Sequence, residues 1–290
     1  MRFALEDWAT LRVEGPDACE FLQGVGTQDI TSLETGVARP SLFLSEKGRP
    51  VALGWVAPEE AETSFLVLLE PGSAGALPPH LDRLRVMEDV SFAGRNDAPF
   101  LLGLSSKDAE ADGRRRAERL PGARILRASA MSFVLLPADS DRGEVERQLG
   151  PFASPGEWEA WRISVGIPRA GVDFGPDRIA TELSLEEAIS TTKGCYVGQE
   201  VVARTTHRGA VRRRRVGFTY PGAAGEFARG TELHAGGSIA GFITSSTLEP
   251  RTGRGLAMGY LATEALQNAV VVAAVRESGS TRLDVTPWPL

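Results

Sequence analysis

Cysteine is scarce in this 290-residue chain: Cys19 and Cys195 are the only two, and no C-x-x-C pair occurs. His80, His207 and His234 are the only histidines and lie far apart. Structural zinc sites of the usual ligand spacing are excluded, and two reduced thiols in a cytoplasmic chain are the simpler expectation. Long apolar runs are also lacking. The longest, AVVVAAV (269–275), falls far short of the ~20 residues a bilayer span needs. Glu6 and Asp7 interrupt the N-terminal stretch where a signal peptide needs continuous apolar residues, which argues against export. Nor is there an excess of positive charge. Lys+Arg 32 against Asp+Glu 38 leaves a net charge of −6, which disfavours a protein built to coat phosphates. GxxxxGK[ST], GxSxG and HExxH are all missing.

What is present is the composition of a folded protein, 42% apolar and 24% charged, long enough for about two domains. Near the N-terminus, Leu11–Glu14 reads as a strand. GPDACEFLQG then predicts a helix with Pro16 at its first position and Gly24 as its stop. SLFLSEKGRPVALGWV predicts two strands joined by a turn at Lys47-Gly48-Arg49, and SFLVLL (64–69) and SFVLL (132–136) have strand length. LPPHLDRLRVM and SKDAEADGRRRAERL read as helices. In the second, Arg114–Arg116 beside Glu110, Asp112 and Glu118 suggests a solvated, charge-paired face. Ser154 and Glu157 form a capping box around Pro155, with Trp158, Trp161 and Val165 at helical spacing. A second S-x-x-E start stands at Ser184–Glu187. After about Val211, short strands alternate with glycine-rich turns, the pattern of a small barrel or sandwich.

One stretch is chemically dense. TTKGCYVGQEVVARTTHRG (191–209) gathers Lys193, Gly194, Cys195, Tyr196, Gly198, Gln199 and Glu200 within eight residues, followed by Arg204. A nearby ammonium favours thiolate over thiol, so Lys193 is expected to tune Cys195, the two together forming the candidate catalytic pair. The glycines permit close ligand approach, and Tyr196 offers a flat face. Gln199 and Glu200 suit an amide-like edge, and Arg204 a carboxylate. The combination fits a planar, partly anionic ligand beside an activatable thiol. The plainer reading is a glycine-rich turn opening a helix, with Cys195 a small buried hydrophobe.

KGCYVGQE also matches, over all eight residues, the KGCYxGQE signature of the YgfZ-type tetrahydrofolate-binding proteins, relatives of the glycine-cleavage T protein (aminomethyltransferase). The resemblance continues through Arg204 and Arg208-Gly209. EFLQGVGTQDIT resembles the family's LQGQVTADV element at Leu22, Gln23, Gly24, Thr27 and Asp29. LSEKGRPVALGWV and WRISVGIPRAGVDF resemble two further family segments, in family order. The resemblance implies an α+β fold of three small domains in a cloverleaf. Residues 1–40 with 141–210 would form the discontinuous folate-binding domain, 41–140 an inserted domain, and 211–290 a C-terminal β-barrel. It implies tetrahydrofolate or a derivative as bound ligand, with Gln23, Thr27, Asp29, Ser164 and Glu182 joining the site. No permanent metal or iron–sulfur cluster is expected, since two distant cysteines cannot supply the usual four ligands. The expected partners are folate and iron–sulfur client enzymes, including tRNA-modifying radical enzymes, with no direct nucleic-acid or membrane contact.

Two departures qualify this picture. After FLVLLEPG no aspartate follows until Asp82, although the transferases carry a catalytic aspartate there, so a folate-dependent aminomethyltransferase or demethylating enzyme is the alternative function rather than the first. Ser164 stands where the family pattern has a pterin-holding glutamate. Either Glu182 replaces it or Glu182 is an ordinary helix-start acid. A non-catalytic protein-binding scaffold is the third reading. The run Arg212–Arg215 alternates faces on a strand and is expected at a solvated barrel rim or against an acidic partner.

Overall fold

The computed structural model describes residues 1–60, 63–94, 100–105, 113–207, 211–267, 272–276 and 279–290. The chain divides into two compact units. The first comprises Met1–Ala153 and Glu186–Gln199, the second Ser154–Leu185 and Glu200–Leu290.

The strands of the first unit are β1 (Arg2–Ala4), β2 (Ala9–Glu14), β3 (Arg39–Leu44), β4 (Pro50–Glu60), β5 (Ser64–Leu69), β6 (Ser91–Gly94), β7 (Phe100–Ser105), β8 (Arg124–Leu126) and β9 (Met131–Leu136). They form two antiparallel sheets, in the orders β3-β4-β5-β2-β6 and β1-β7-β9-β8. Strands β5 and β9 are buried at every residue, which explains why SFLVLL and SFVLL are continuous apolar runs. Trp55 of β4 meets Phe133 of β9 edge to face at 5.7 Å, with Trp8 tilted against both at 5.3 and 5.6 Å, so an aromatic seam joins the sheets. On the five-stranded sheet, Phe21 and Leu22 pack with Val67, Leu69, Leu77 and Leu81. Half-buried Cys19 lies against the same core.

The first helix, Ala18–Val25, differs from expectation at both ends. Pro16 lies in the turn before Asp17, the N-cap, and the helix runs through Gly24 so that Val25 can be buried. The residue for which lack of a side chain matters is Gly26, where a Cβ would sit 2.8 Å from Ser41 Oγ. The hairpin turn at 45–49 and the strands around it are as expected. Leu77–Leu84 and Gly113–Ala117 are helical, and Arg114 pairs with Glu118 at 2.9 Å. Residues 106–112, with Glu110 and Asp112, lie outside the described residues.

In the second unit, β10 (Arg213–Tyr220), β11 (Glu232–Ala235), β12 (Ser238–Leu248), β13 (Gly255–Ala262), β14 (Val272–Arg276) and β15 (Gly279–Thr286) close a barrel. Their order is β10-β13-β12-β11-β14-β15. Of the two architectures the strand spacing allowed, the barrel is the one formed. The helix Pro155–Val165 carries the expected capping box: Ser154 N donates to Glu157 at 2.9 Å and Glu157 N to Ser154 Oγ at 3.3 Å. Its buried face is not the Trp158/Trp161/Val165 stripe. Ala160 and Ile163 pack on Leu256 and Met258, while the two indoles pair with each other at 5.4 Å on a half-buried face. The small Ala160 permits the close approach that two indoles would prevent. No α-helix starts at Ser184. This residue has φ +49° and donates its hydroxyl to Arg215 O (2.9 Å), leaving a single 3₁₀ turn at Glu186–Ala188. No helix among the described residues is long and apolar enough to cross a membrane.

Candidate functional site

The C-terminus of the Ala18–Val25 helix leaves carbonyls without intrahelical partners, and the segment 190–198 supplies donors for them. Lys193 Nζ donates to the carbonyls of Gln23 (2.6 Å), Gly26 (2.8 Å) and Gln28 (2.7 Å). Val197 N donates to Gly24 O at 3.0 Å. A cation at this position also complements the negative end of the helix dipole. Further bonds continue the seam. Ser190 N donates to Thr27 O (2.9 Å), Thr27 Oγ1 to Ala188 O (2.6 Å), and Gln28 Nε2 to Pro40 O (3.1 Å) and Glu187 O (2.8 Å). The LQG and KGCYVG segments, read separately in the sequence, are one hydrogen-bonded assembly.

This assembly redefines Lys193. An ammonium has three N–H donors, and three backbone carbonyls take them, so Lys193 is a clamp on the loop carrying Cys195. Burial pulls its pKa down to about 8, against the opposing charge of Asp29. Gln23 and Asp29 serve the same seam. Gln23 Nε2 donates to Asp29 Oδ1 (3.1 Å), and Gln23 Oε1 accepts from Ile30 N (2.7 Å). The Thr31 hydroxyl, 2.8 Å from Asp29, is the main cause holding that carboxyl below its ordinary range. Thr27 is fully buried and also accepts from Leu42 N at 2.9 Å.

Between the anchors at Lys193 and Val197, Gly194 and Cys195 are exposed, and a side chain at Gly194 would meet nothing within 4 Å. Cys195 is therefore not the buried hydrophobe of the plainer reading, although the turn does open a helix, Gln199–His207. Tyr196 is turned inward, 8% exposed, with the Lys193 ammonium 5.4 Å from its ring centroid. Its burial pushes the phenol pKa up. Gly198 has φ +81°, and a Cβ there would lie 2.7 Å from Ser45 O and 3.1 Å from Gly48 Cα. It is the position at which the motif abuts the β3–β4 turn.

The remaining candidates belong to the second unit, except half-buried Gln199, which ends the first. Glu200 and Arg204 are exposed one turn apart on the helix Gln199–His207; Arg208-Gly209 lies outside the described residues. Ser164 Oγ donates to Trp161 O (2.7 Å) within its own helix. Glu182 accepts from Ile179 N (3.3 Å), as a helix-start acid does, and its partial burial raises its pKa. Phe242 lies beneath the guanidinium carbons of Arg178 (4.8 Å) and Arg213 (6.0 Å).

Arg215 corrects the solvated-rim expectation. It is 1% exposed, with Nε donating to Leu183 O (2.7 Å) and Nη1 to Gly166 O (2.9 Å), and it lies over the Trp288 ring. Arg162 and Asp173, which no sequence motif marks, form a fully buried ion pair at 2.9 Å. Asp173 further accepts from Thr244 Oγ1 (2.6 Å), Ser245 Oγ (2.7 Å) and Arg169 N (2.9 Å). Burial alone would raise its pKa, but the charge of Arg162 and these donors hold it low. The available signal was an arginine between Ala160 and Ile163 on a packing face, which requires an acidic partner.

Residues 213–290 match the glycine cleavage T-protein C-terminal barrel domain. Over its whole length the fold is similar to the glycine cleavage system aminomethyltransferase T of Bartonella henselae. The TM-score is 0.83 and the identity 22%, covering 99% of this chain and 85% of that one. The mouse mitochondrial iron–sulfur cluster assembly factor IBA57 is 31% identical over 232 residues. That match spans 73% of this chain and 64% of the relative, and the human factor is likewise covered to 64% of its length. The tRNA-modifying protein YgfZ of Edwardsiella ictaluri is 30% identical over 231 residues, 72% of this chain and 68% of the relative. Sharing that identity over that span, with the fold of the T protein beneath it, the chain belongs to the YgfZ-type family of glycine-cleavage-T-like proteins.

Proposed function

We propose that this chain is a tetrahydrofolate-binding accessory protein of the cytoplasm that supports the assembly or repair of iron–sulfur enzymes, tRNA-modifying radical enzymes among its clients. The observation that carries the reading is Cys195, an exposed thiol between two anchored residues of a rigid loop. A thiol so presented meets a partner without local unfolding. The names of the relatives, an iron–sulfur cluster assembly factor and a tRNA-modifying protein, support the same class of work.

The donor set suits a folate. The half-buried Glu182 carboxylate matches the amidine edge of a pterin, Phe242 offers an aromatic surface, and Arg213 or Arg204 suits the glutamate carboxylates. Exposed Glu200, in the same unit, adds a further polar side chain. Aminomethyl transfer is the weaker reading. Glu70, the acid at the end of FLVLLEPG's strand, is 2% exposed and caps the short helix Pro71–Ala74 through Gly72 N (2.9 Å) and Ser73 Oγ (2.5 Å).

The test is the activity of a radical iron–sulfur enzyme in cells lacking this protein, restored with wild type or Cys195→Ala. Rescue by wild type alone supports the proposal. Equal rescue removes the thiol from it, and no rescue by either sinks it. Calorimetry with tetrahydrofolate tests the ligand separately; no heat at millimolar concentration removes folate.

A further inference from the structure

Val86 and Met87 are the two most exposed large apolar side chains among the described residues, at 83% and 90%, and they are neighbours. They follow the helix Leu77–Leu84 in a turn that is firmly held. Val86 N and Met87 N both donate to one Glu88 carboxylate oxygen, at 2.8 and 3.0 Å. Arg85 donates to Val90 O (2.8 Å) and Asp82 (2.7 Å) and covers the Phe92 ring at 5.2 Å. Asp89 N donates to Asp17 Oδ2 at 2.7 Å, tying the turn to the start of the first helix. The apolar pair therefore stands on a preformed platform, and its backbone needs no ordering when something covers it.

The surroundings select the partner. Asp17, Asp82, Glu88 and Asp89 outnumber Arg83 and Arg85, whose guanidinium groups bond His80 and Asp82. The N–H of Val86, with that of Met87, keeps Glu88 ionised well below neutral pH. An acidic collar repels anionic lipid headgroups and nucleic-acid phosphates alike. It attracts a protein surface in which Lys or Arg flanks an apolar recess, and methionine adapts its shape to such a recess. We propose that the Val86–Met87 turn is a docking knob for a basic protein segment carrying apolar residues. This surface depends on neither Cys195 nor folate.

The test selects a random peptide library displayed on phage against the full chain. Chosen peptides are then resynthesised and titrated against wild type and the Val86→Ser/Met87→Ser variant. The expected peptides carry large apolar residues flanked by Lys or Arg. Their affinity should fall about tenfold or more in the variant and weaken with salt. Because both side chains are already in water, the variant should melt with the wild type, so lost binding is not lost folding. Undiminished binding by the variant, selection of peptides without basic residues, or no selected peptide overturns the proposal. So does binding of wild type to anionic vesicles, or a wild-type dimer in sedimentation, that the variant abolishes; the turn would then serve a membrane or a second copy.

Discussion

Lys193 Nζ lies 2.6 Å from the carbonyl oxygen of Gln23, a residue 170 positions earlier in the chain. Through this contact a loop and a helix end become one rigid piece, and the candidate thiol is displayed from it.

Replacing Lys193 by Met should therefore loosen the loop rather than merely remove a charge. It strips donors from three carbonyls, at a cost of roughly 1–3 kcal/mol in stability. Urea denaturation reads the loss, and the rate at which Cys195 reacts with an aromatic disulfide reports the change in the loop. Arg should rescue poorly, because its planar fork cannot reproduce a converging set of three bonds.

The same amine sets a pH dependence. In the native state it releases its proton near pH 8, whereas an unfolded lysine holds it to about 10.4. Between those values the unfolded chain binds the extra proton, so this group makes stability rise with pH. The melting temperature of wild type relative to Lys193→Met should increase from pH 8 to pH 10. A flat difference would show that the ammonium is not buried as described.

Gly198→Ala and Gly194→Ala should behave oppositely, although four residues separate them. At 198 a methyl group collides with the Ser45 carbonyl and is strained at the φ of +81° that the glycine adopts, so a lower melting temperature and poor expression are expected. At 194 it meets open space, and thermal stability should hold. Differential scanning fluorimetry separates the two in one experiment.

Asp173→Ala should be the costliest single change in the second unit. It removes the fully buried counter-ion of Arg162 and leaves half-buried Glu159 as its remaining carboxylate partner, so the loss should approach the roughly 3–5 kcal/mol typical of a broken buried pair. An Arg162→Met/Asp173→Leu pair should recover much of that loss in chemical denaturation, because the charge and its counter-ion leave together.

Local features were legible in the sequence because they are decided by residues a few positions apart. The Ser154/Glu157 box, the turn at Lys47-Gly48-Arg49 and the evenly spaced strands of the barrel are of this kind. KGCYVGQE was conspicuous by its mixture of groups, but the role of Lys193 was not, since its three acceptors lie at and just beyond a helix end far away in sequence. Periodicity misled where a charge is buried. Arg162 and Arg215 occupy packing positions because partners supplied by other elements neutralise or solvate them. It misled again where Trp158 and Trp161 satisfied each other.

A thiol borne on a stretch fastened at Lys193 and again at Val197 has a short reach, set by one side chain and not by the swing of a loop. In the role proposed for Cys195, delivery would therefore come from the other side: an acceptor recessed deeper than a cysteine can extend would be out of range, however well the surrounding surfaces match. Selectivity then lies in how far a partner offers its reactive group outward, and rigidity becomes a filter on who is served.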